Sequence, residues 1–169
     1  QLERSVEAAV ECGDGHAHAR ALAGLASVAL EDGRYQEALV LAARSLDVPI
    51  HTHAGGNLIE LQRVFDEHGR TPVQFLADIG FLDDRTLLGH GVFTTAHPWT
   101  LYPFGDDVRV LAETGATVGH CPYKYAKMAM TLQSFQRYLE AGVNIAIGTD
   151  TFPMDMVAEL RWASILARI

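Results

Sequence analysis

Cysteine is scarce in these 169 residues: Cys12 and Cys121 are the only 2, too few for a disulfide framework. The expected compartment is therefore a reducing one, the cytoplasm. Basic residues are short too. Against 21 Asp and Glu stand 13 Lys and Arg, a formal net charge of −8. Nothing there is basic enough to hold a phosphate backbone, which excludes nucleic acid as the expected partner. No apolar run approaches the ~18 residues of a membrane span, and no signal-peptide pattern opens the chain. Proline numbers 6, with none before Pro49. What the chain does have is 8 His and 15 Gly in an otherwise ordinary mixture. A soluble enzyme acting on a small molecule is the expectation, and an assembly of identical chains is compatible with it.

Two textures divide the sequence. Residues 1–46 are rich in Ala and Leu and free of Pro. An opening helix is expected over about Leu2–Glu11 and a second helical stretch over 17–30. Asp32-Gly33 breaks that stretch, and Tyr35, Ala38, Leu39, Ala42 and Leu46 continue it as a further helix. From Val48 onward short apolar segments alternate with longer helical ones. The strands expected are Val48–Thr52, Thr86–Gly89, Thr117–Gly119 and Asn144–Gly148. Helices are expected near Leu58–His68, Pro72–Ile79, Asp106–Glu113 and Leu132–Ala141, with an amphipathic run from Val157 to Leu166. Gly69, Gly115 and Gly142 close three of these helices, since glycine takes the left-handed conformation without steric cost. Alternation of strand and helix implies parallel strands with helices packed outside. The start at Gln1 and the stop at Ile169 inside an amphipathic run lead us to expect a piece of a longer protein.

Each expected strand ends in a polar residue able to bind a metal: His53, His90, His120 and Asp150. They recur at intervals of roughly 30 to 37 residues, and a strand–helix unit takes about 30, so the four occupy equivalent positions on successive units. In a parallel barrel such positions converge on the C-terminal rim. A lone histidine at such a place is as easily a buried, hydrogen-bonded one; four at matching phase are not. Small residues flank three of them, as in Ala54-Gly55-Gly56, Gly91 and Gly148-Thr149, and permit close approach of backbone and ligand. Imidazole nitrogens with a carboxylate suit one divalent ion, Zn²⁺ or Fe²⁺. Such an ion lowers the pKa of a bound water toward ~7, and Asp150 can hold and relay the proton.

The series Ile50-His51-Thr52-His53, Leu88-Gly89-His90-Gly91, Gly119-His120-Cys121-Pro122 and Ile147-Gly148-Thr149-Asp150 resembles the second half of an amidohydrolase-superfamily enzyme. It is most similar to the branch of cytosine, guanine and adenosylhomocysteine deaminases and triazine chlorohydrolases. The resemblance covers about residues 47–169. It implies an α/β fold, a partial (β/α)₈ barrel of about strands five to eight, carrying one divalent metal. His53 matches the strand-five metal ligand. His90 matches the strand-six histidine that ligates the metal or steadies its water. Asp150 matches the strand-eight ligand that shuttles the proton, and His120 a residue facing the substrate. The implied reaction is hydrolysis of a carbon–nitrogen or related bond in a small, N-heterocyclic substrate.

Two departures stand out. The family's first two ligands are a His-x-His pair after strand one, and no such strand is present. His16-Ala17-His18 has the spelling but leads into an Ala-rich helix, and His51 reads as a deeper neighbour of His53. Deaminases of the branch place Glu three residues after the strand-five histidine, where this chain has Gly56. A general hydrolase is therefore the safer expectation, and the fragment alone is expected to turn over poorly.

Other features leave alternatives open. His97 and Trp99, with Tyr102 and Phe104, form either an aromatic substrate wall or a loop packed on its own barrel. Lys124 and Lys127 either meet an anionic group or are solvated. Cys121 is not expected to be a nucleophile, and Asp155 is read as a helix N-cap. Residues 1–46 resemble one tetratricopeptide hairpin, or else form barrel unit four. The competing function is a non-catalytic helical-repeat interaction protein with a degenerate barrel remnant.

Overall fold

The structure, a computed structural model, describes residues 2–11, 13–15, 17, 22, 35–132 and 135–167. Helices α1 (Leu2–Glu11) and α2 (Tyr35–Leu46) stand where the sequence places them. Apart from Ala17 and Leu22, the expected helix over 17–30, the turn at Gly33 and both histidines of His16-Ala17-His18 lie outside the described residues. Contacts divide the chain into two units, residues 1–50 with 79–81, and residues 51–78 with 82–169. In the first, the buried stripe of α2 falls on Ala38, Val40 and Ala43, while Leu39 and Leu46 are exposed.

Strands β1 (Ile50–Ala54), β2 (Thr86–His90), β3 (Thr117–His120) and β4 (Asn144–Ile147) form one sheet in the order β1-β2-β3-β4. The β2/β3 and β3/β4 pairs are parallel, with Leu88 opposite Val118 and Val118 opposite Ile145. Helices α3 (Leu58–His68) and α4 (Pro72–Asp78) follow β1. Helix α5 (Asp107–Thr114) follows β2, and α6 (Pro122–Lys127) and α7 (Phe135–Glu140) follow β3. Helix α8 (Met156–Leu166) follows β4. Parallel neighbours need such crossovers, because a tight turn cannot return the chain to the same end of the sheet.

Local chemistry sets these boundaries. Asn57 caps α3 by accepting the Glu60 N–H at 2.8 Å, and Asp106 and Asp155 cap α5 and α8 in the same way. Gly69 and Gly115 close α3 and α5 with φ of 64° and 74°. Strand β1 starts two residues later than Val48, a correction with a local cause. The Val48 N–H is used by the Ala43 carbonyl (3.1 Å) at the end of α2, and Pro49 has no N–H to give to a ladder. Helix α6 was not expected. Helix α7 is shorter than the expected Leu132–Ala141; positions 133–134 lie outside the described residues.

Alternate strand residues point to opposite faces. Leu88 and Val118, both 0% exposed, join Val108, Leu111 and Tyr138 in the core. The other face carries His51, His53 and Ala146, all exposed. The long segment from Gly91 to Asp106 is fastened at both ends. The buried Asp107 carboxylate accepts from the Thr71 hydroxyl (2.9 Å), the Gln74 amide (2.8 Å) and the Thr95 N–H (2.9 Å). Tyr138 donates its hydroxyl to the Gly91 carbonyl at 2.8 Å and accepts from Thr94 at 2.7 Å. Among the described residues, no helix is long and apolar enough to cross a membrane.

Candidate metal centre

Three side chains meet at the C-terminal ends of the strands. One ligand atom from each of His53, His90 and Asp150 lies within 4.8 Å of the other two. Backbone contacts bring the first two together. Gly91 donates to the Ala54 carbonyl (3.0 Å), and Val92 and Phe93 both donate to the Gly55 carbonyl. The Glu60 carboxylate then braces the turn after β1 by accepting the Gly55 and Gly56 N–H groups, each at 3.0 Å. The rings of His53 and His90 stand 4.8 Å apart, centroid to centroid. His51 lies one turn of the pleat deeper, 5.7 Å from His53 and outside the converging group.

Two of the three residues have a left-handed backbone that side chains seldom adopt: φ is 83° at His90 and 51° at Asp150. Such conformations cost of order 1–3 kcal/mol each and persist where their surroundings impose them. At His90 the result is a side chain turned out of the strand's alternation and toward Asp150, with Nε2 4.0 Å from Oδ2. Glycines make room for it. A Cβ at position 89 would stand 2.5 Å from His53 Cδ2, and one at position 56 would stand 2.8 Å from His90 Cδ2.

Burial, then the nearby Lys124 charge, push the His90 imidazole down to about 4, so it is neutral at pH 7 and has one ring lone pair to offer. Its Nδ1 is buried and has no hydrogen-bond partner among the described residues. The Asp150 carboxyl is held below its ordinary value chiefly by its hydrogen bond from Lys124. The Lys124 ammonium stands 2.6 Å from Asp150 Oδ2 and 3.4 Å from His90 Nε2. The cleft around these groups has a volume of about 190 Å³ and is floored by Gly89, Gly119 and Ala146. That is below the ~300 Å³ at which ligand pockets begin, so it can seat the reacting end of a small molecule.

Two imidazoles and a carboxylate are a donor set that fits a divalent ion. Ligands bonded at about 2.0–2.2 Å in tetrahedral geometry stand about 3.4 Å from one another, so three tips that lie within 4.8 Å of one another would draw in by about an ångström to share one ion.

The other sequence candidates fall elsewhere. His120 is 2% exposed, with Nδ1 unpartnered among the described residues and its pKa pushed down to about 4 by burial and by His90; it does not line the cleft. His97 is buried against Phe93, ring centroids 4.7 Å apart, and its Nδ1 accepts the Trp99 N–H. Trp99 lines a different groove with Phe65, Leu101 and Tyr102. Neither is brought to the three converging residues, because the Asp107 and Tyr138 clamps fold their segment back. Burial pushes the Cys121 thiol up to about 11, against a nucleophilic role. Lys127 reaches the Phe152 carbonyl, and Lys124 alone of the two lysines meets a carboxylate at this site. The backing from Tyr125 was not foreseen. Its hydroxyl donates to the Gly56 carbonyl at 2.9 Å, and its ring sets edge-on to His90.

A metal-capable rim at the ends of parallel strands defines a class, and comparison with known proteins agrees with it. Residues 5–168 match the model of the amidohydrolase family, and the chain belongs to that family. It is 39% identical over 139 residues to the 5-methylthioadenosine/S-adenosylhomocysteine deaminase of Halobacterium salinarum, covering 80% of this chain and 30% of that protein. Among solved structures it resembles an adenosine deaminase from Xanthomonas campestris with bound zinc (TM-score 0.68, 29% identity, 80% of this chain and 30% of that one). It also resembles the atrazine chlorohydrolase of Arthrobacter aurescens complexed with zinc (TM-score 0.57, 28% identity, 69% of this chain and 23% of that one). The chain thus spans about three tenths of the length of the curated relatives it matches.

Proposed function

We propose that residues 47–169 are strands five to eight of a (β/α)₈ barrel in a metal-dependent hydrolase that deaminates a small N-heterocycle. The observation that carries this reading is the convergence of His53, His90 and Asp150 from three strand ends. The family match beginning at residue 5 supports placing residues 1–46 in the same barrel, as the unit before strand five, and weighs against a separate tetratricopeptide hairpin. Intact convergence also speaks against a degenerate, non-catalytic remnant.

His53, His90 and Asp150 would hold the ion, and the zinc named in the structures of two relatives supports Zn²⁺. When bound, the ion supplies Lewis acidity that generates a nucleophile from water at neutral pH. His90, neutral and backed by the Tyr125 ring, would offer its ring lone pair to the ion, and Asp150 would take a proton from the attacking water and pass it to the leaving group. The named relatives favour an adenine nucleoside such as 5-methylthioadenosine as substrate. The expected test is ammonia release by the full-length protein from 5-methylthioadenosine, adenosine, cytosine, guanine and a chlorinated triazine. Turnover of an adenine nucleoside, lost in Asp150→Asn, supports the reading; no turnover of any of them by zinc-loaded full-length protein contradicts it.

A further inference from the structure

Lys124 has no task in that reaction, yet it stands among the candidate ligands. Its ammonium, 2.6 Å from Asp150 Oδ2 and 3.4 Å from His90 Nε2, occupies one of the two carboxylate oxygens and the ring lone pair that a divalent ion would take. A lone pair on Nε2 serves one partner at a time. An ion about 2 Å from the carboxylate oxygen would also lie within about 5 Å of the ammonium, two positive charges in a half-buried site.

The backbone carrying Lys124 is fixed on both sides. The buried Glu159 accepts the Tyr123 N–H at 2.9 Å, and Tyr125, 0% exposed, is tied to Gly56. Only the four-carbon stem can swing, and the side chain is 28% exposed, so it has an outward path. We infer that Lys124 is a displaceable internal cation: it satisfies Asp150 and His90 in the metal-free site and must withdraw when a divalent ion binds, which weakens the site's hold on metal. The inference rests on the metal site proposed above.

The test is Zn²⁺ affinity, measured in full-length protein by competition with a chromophoric chelator at pH 7.5. Lys124→Met keeps the apolar stem and removes the charge; Lys124→Gln is a second neutral variant should the first fold poorly. Both are expected to bind Zn²⁺ at least tenfold more tightly than the parent, about 1.4 kcal/mol. The metal-free melting temperature should fall in both while the zinc-loaded one does not. Lys124→Arg, which keeps the charge, should show no gain. Equal or weaker affinity in the neutral variants, or an equal gain in Lys124→Arg, overturns the inference and leaves the metal site standing. Failure of every variant and the parent to bind Zn²⁺ overturns the metal site and the inference with it.

Discussion

A Cβ at position 56 would stand 2.8 Å from Cδ2 of His90, so glycine here is required by the ring beside it. The buried His90 imidazole leaves no room for a side chain at this position, where the resemblance implies a glutamate in deaminases. Gly56→Ala is therefore expected to cost about 1–3 kcal/mol, as overpacking does. It should also weaken Zn²⁺ binding by at least tenfold through displacement of His90. Gly56→Glu should fail to raise ammonia release. Thermal melts, chelator competition and turnover check the three outcomes.

Gly89 has the same relation to His53. A Cβ there would meet Cδ2 at 2.5 Å, whereas one at Gly119, on the neighbouring strand of the same face, would have Leu87 Cδ1 at 3.5 Å as its nearest contact. Gly89→Ala should lower metal content sharply and Gly119→Ala should leave it near the parent value. Equal metal content in the two variants would count against the placement of His53.

The strands and the rim histidines were legible because they depend on local pattern. Asn57, Asp106, Asp155, Gly69 and Gly115 act through backbone groups within a few residues, and the elements they bound fall within a residue or two of expectation. The Lys124–Asp150 pair was not legible. It joins the turn after β3 to the turn after β4 through a six-residue helix that Pro122 starts and that offers no hydrophobic period to read. His97 and Trp99 sit beside aromatic neighbours in the sequence, which left open a substrate wall or a loop packed on its own barrel. The loop that carries them is tied through Thr95 to Asp107 in α5 and through Gly91 to Tyr138 in α7, bonds that leave no local pattern in the sequence.

Stability should depend on pH between about 6.5 and 4. His90 and His120 are each pushed down to about 4 by burial, below the ordinary 6.5. Across that window the unfolded chain binds protons that the folded one refuses, so the neutral-state stability is full above 6.5 and is lost as pH falls toward 4. Each histidine accounts for up to about 3 kcal/mol. Asp150, shifted down, gives its own loss only below its ordinary carboxylate value of 3.8. Urea unfolding of chelator-treated protein at pH 7, 6 and 5 is expected to show midpoints falling with pH. His120→Asn should flatten the fall; a midpoint constant from pH 7 to 5 would contradict the burial of both rings in neutral form.

The most direct measurement is metal content, by elemental analysis of the full-length protein purified with Zn²⁺ present and then dialysed. About one equivalent is expected in the parent, near zero in His53→Ala and Asp150→Ala, and an unchanged value in His97→Ala, whose imidazole is packed against Phe93 rather than among the ligands. One equivalent retained in both His53→Ala and Asp150→Ala, with their folds intact, would contradict the proposed metal site.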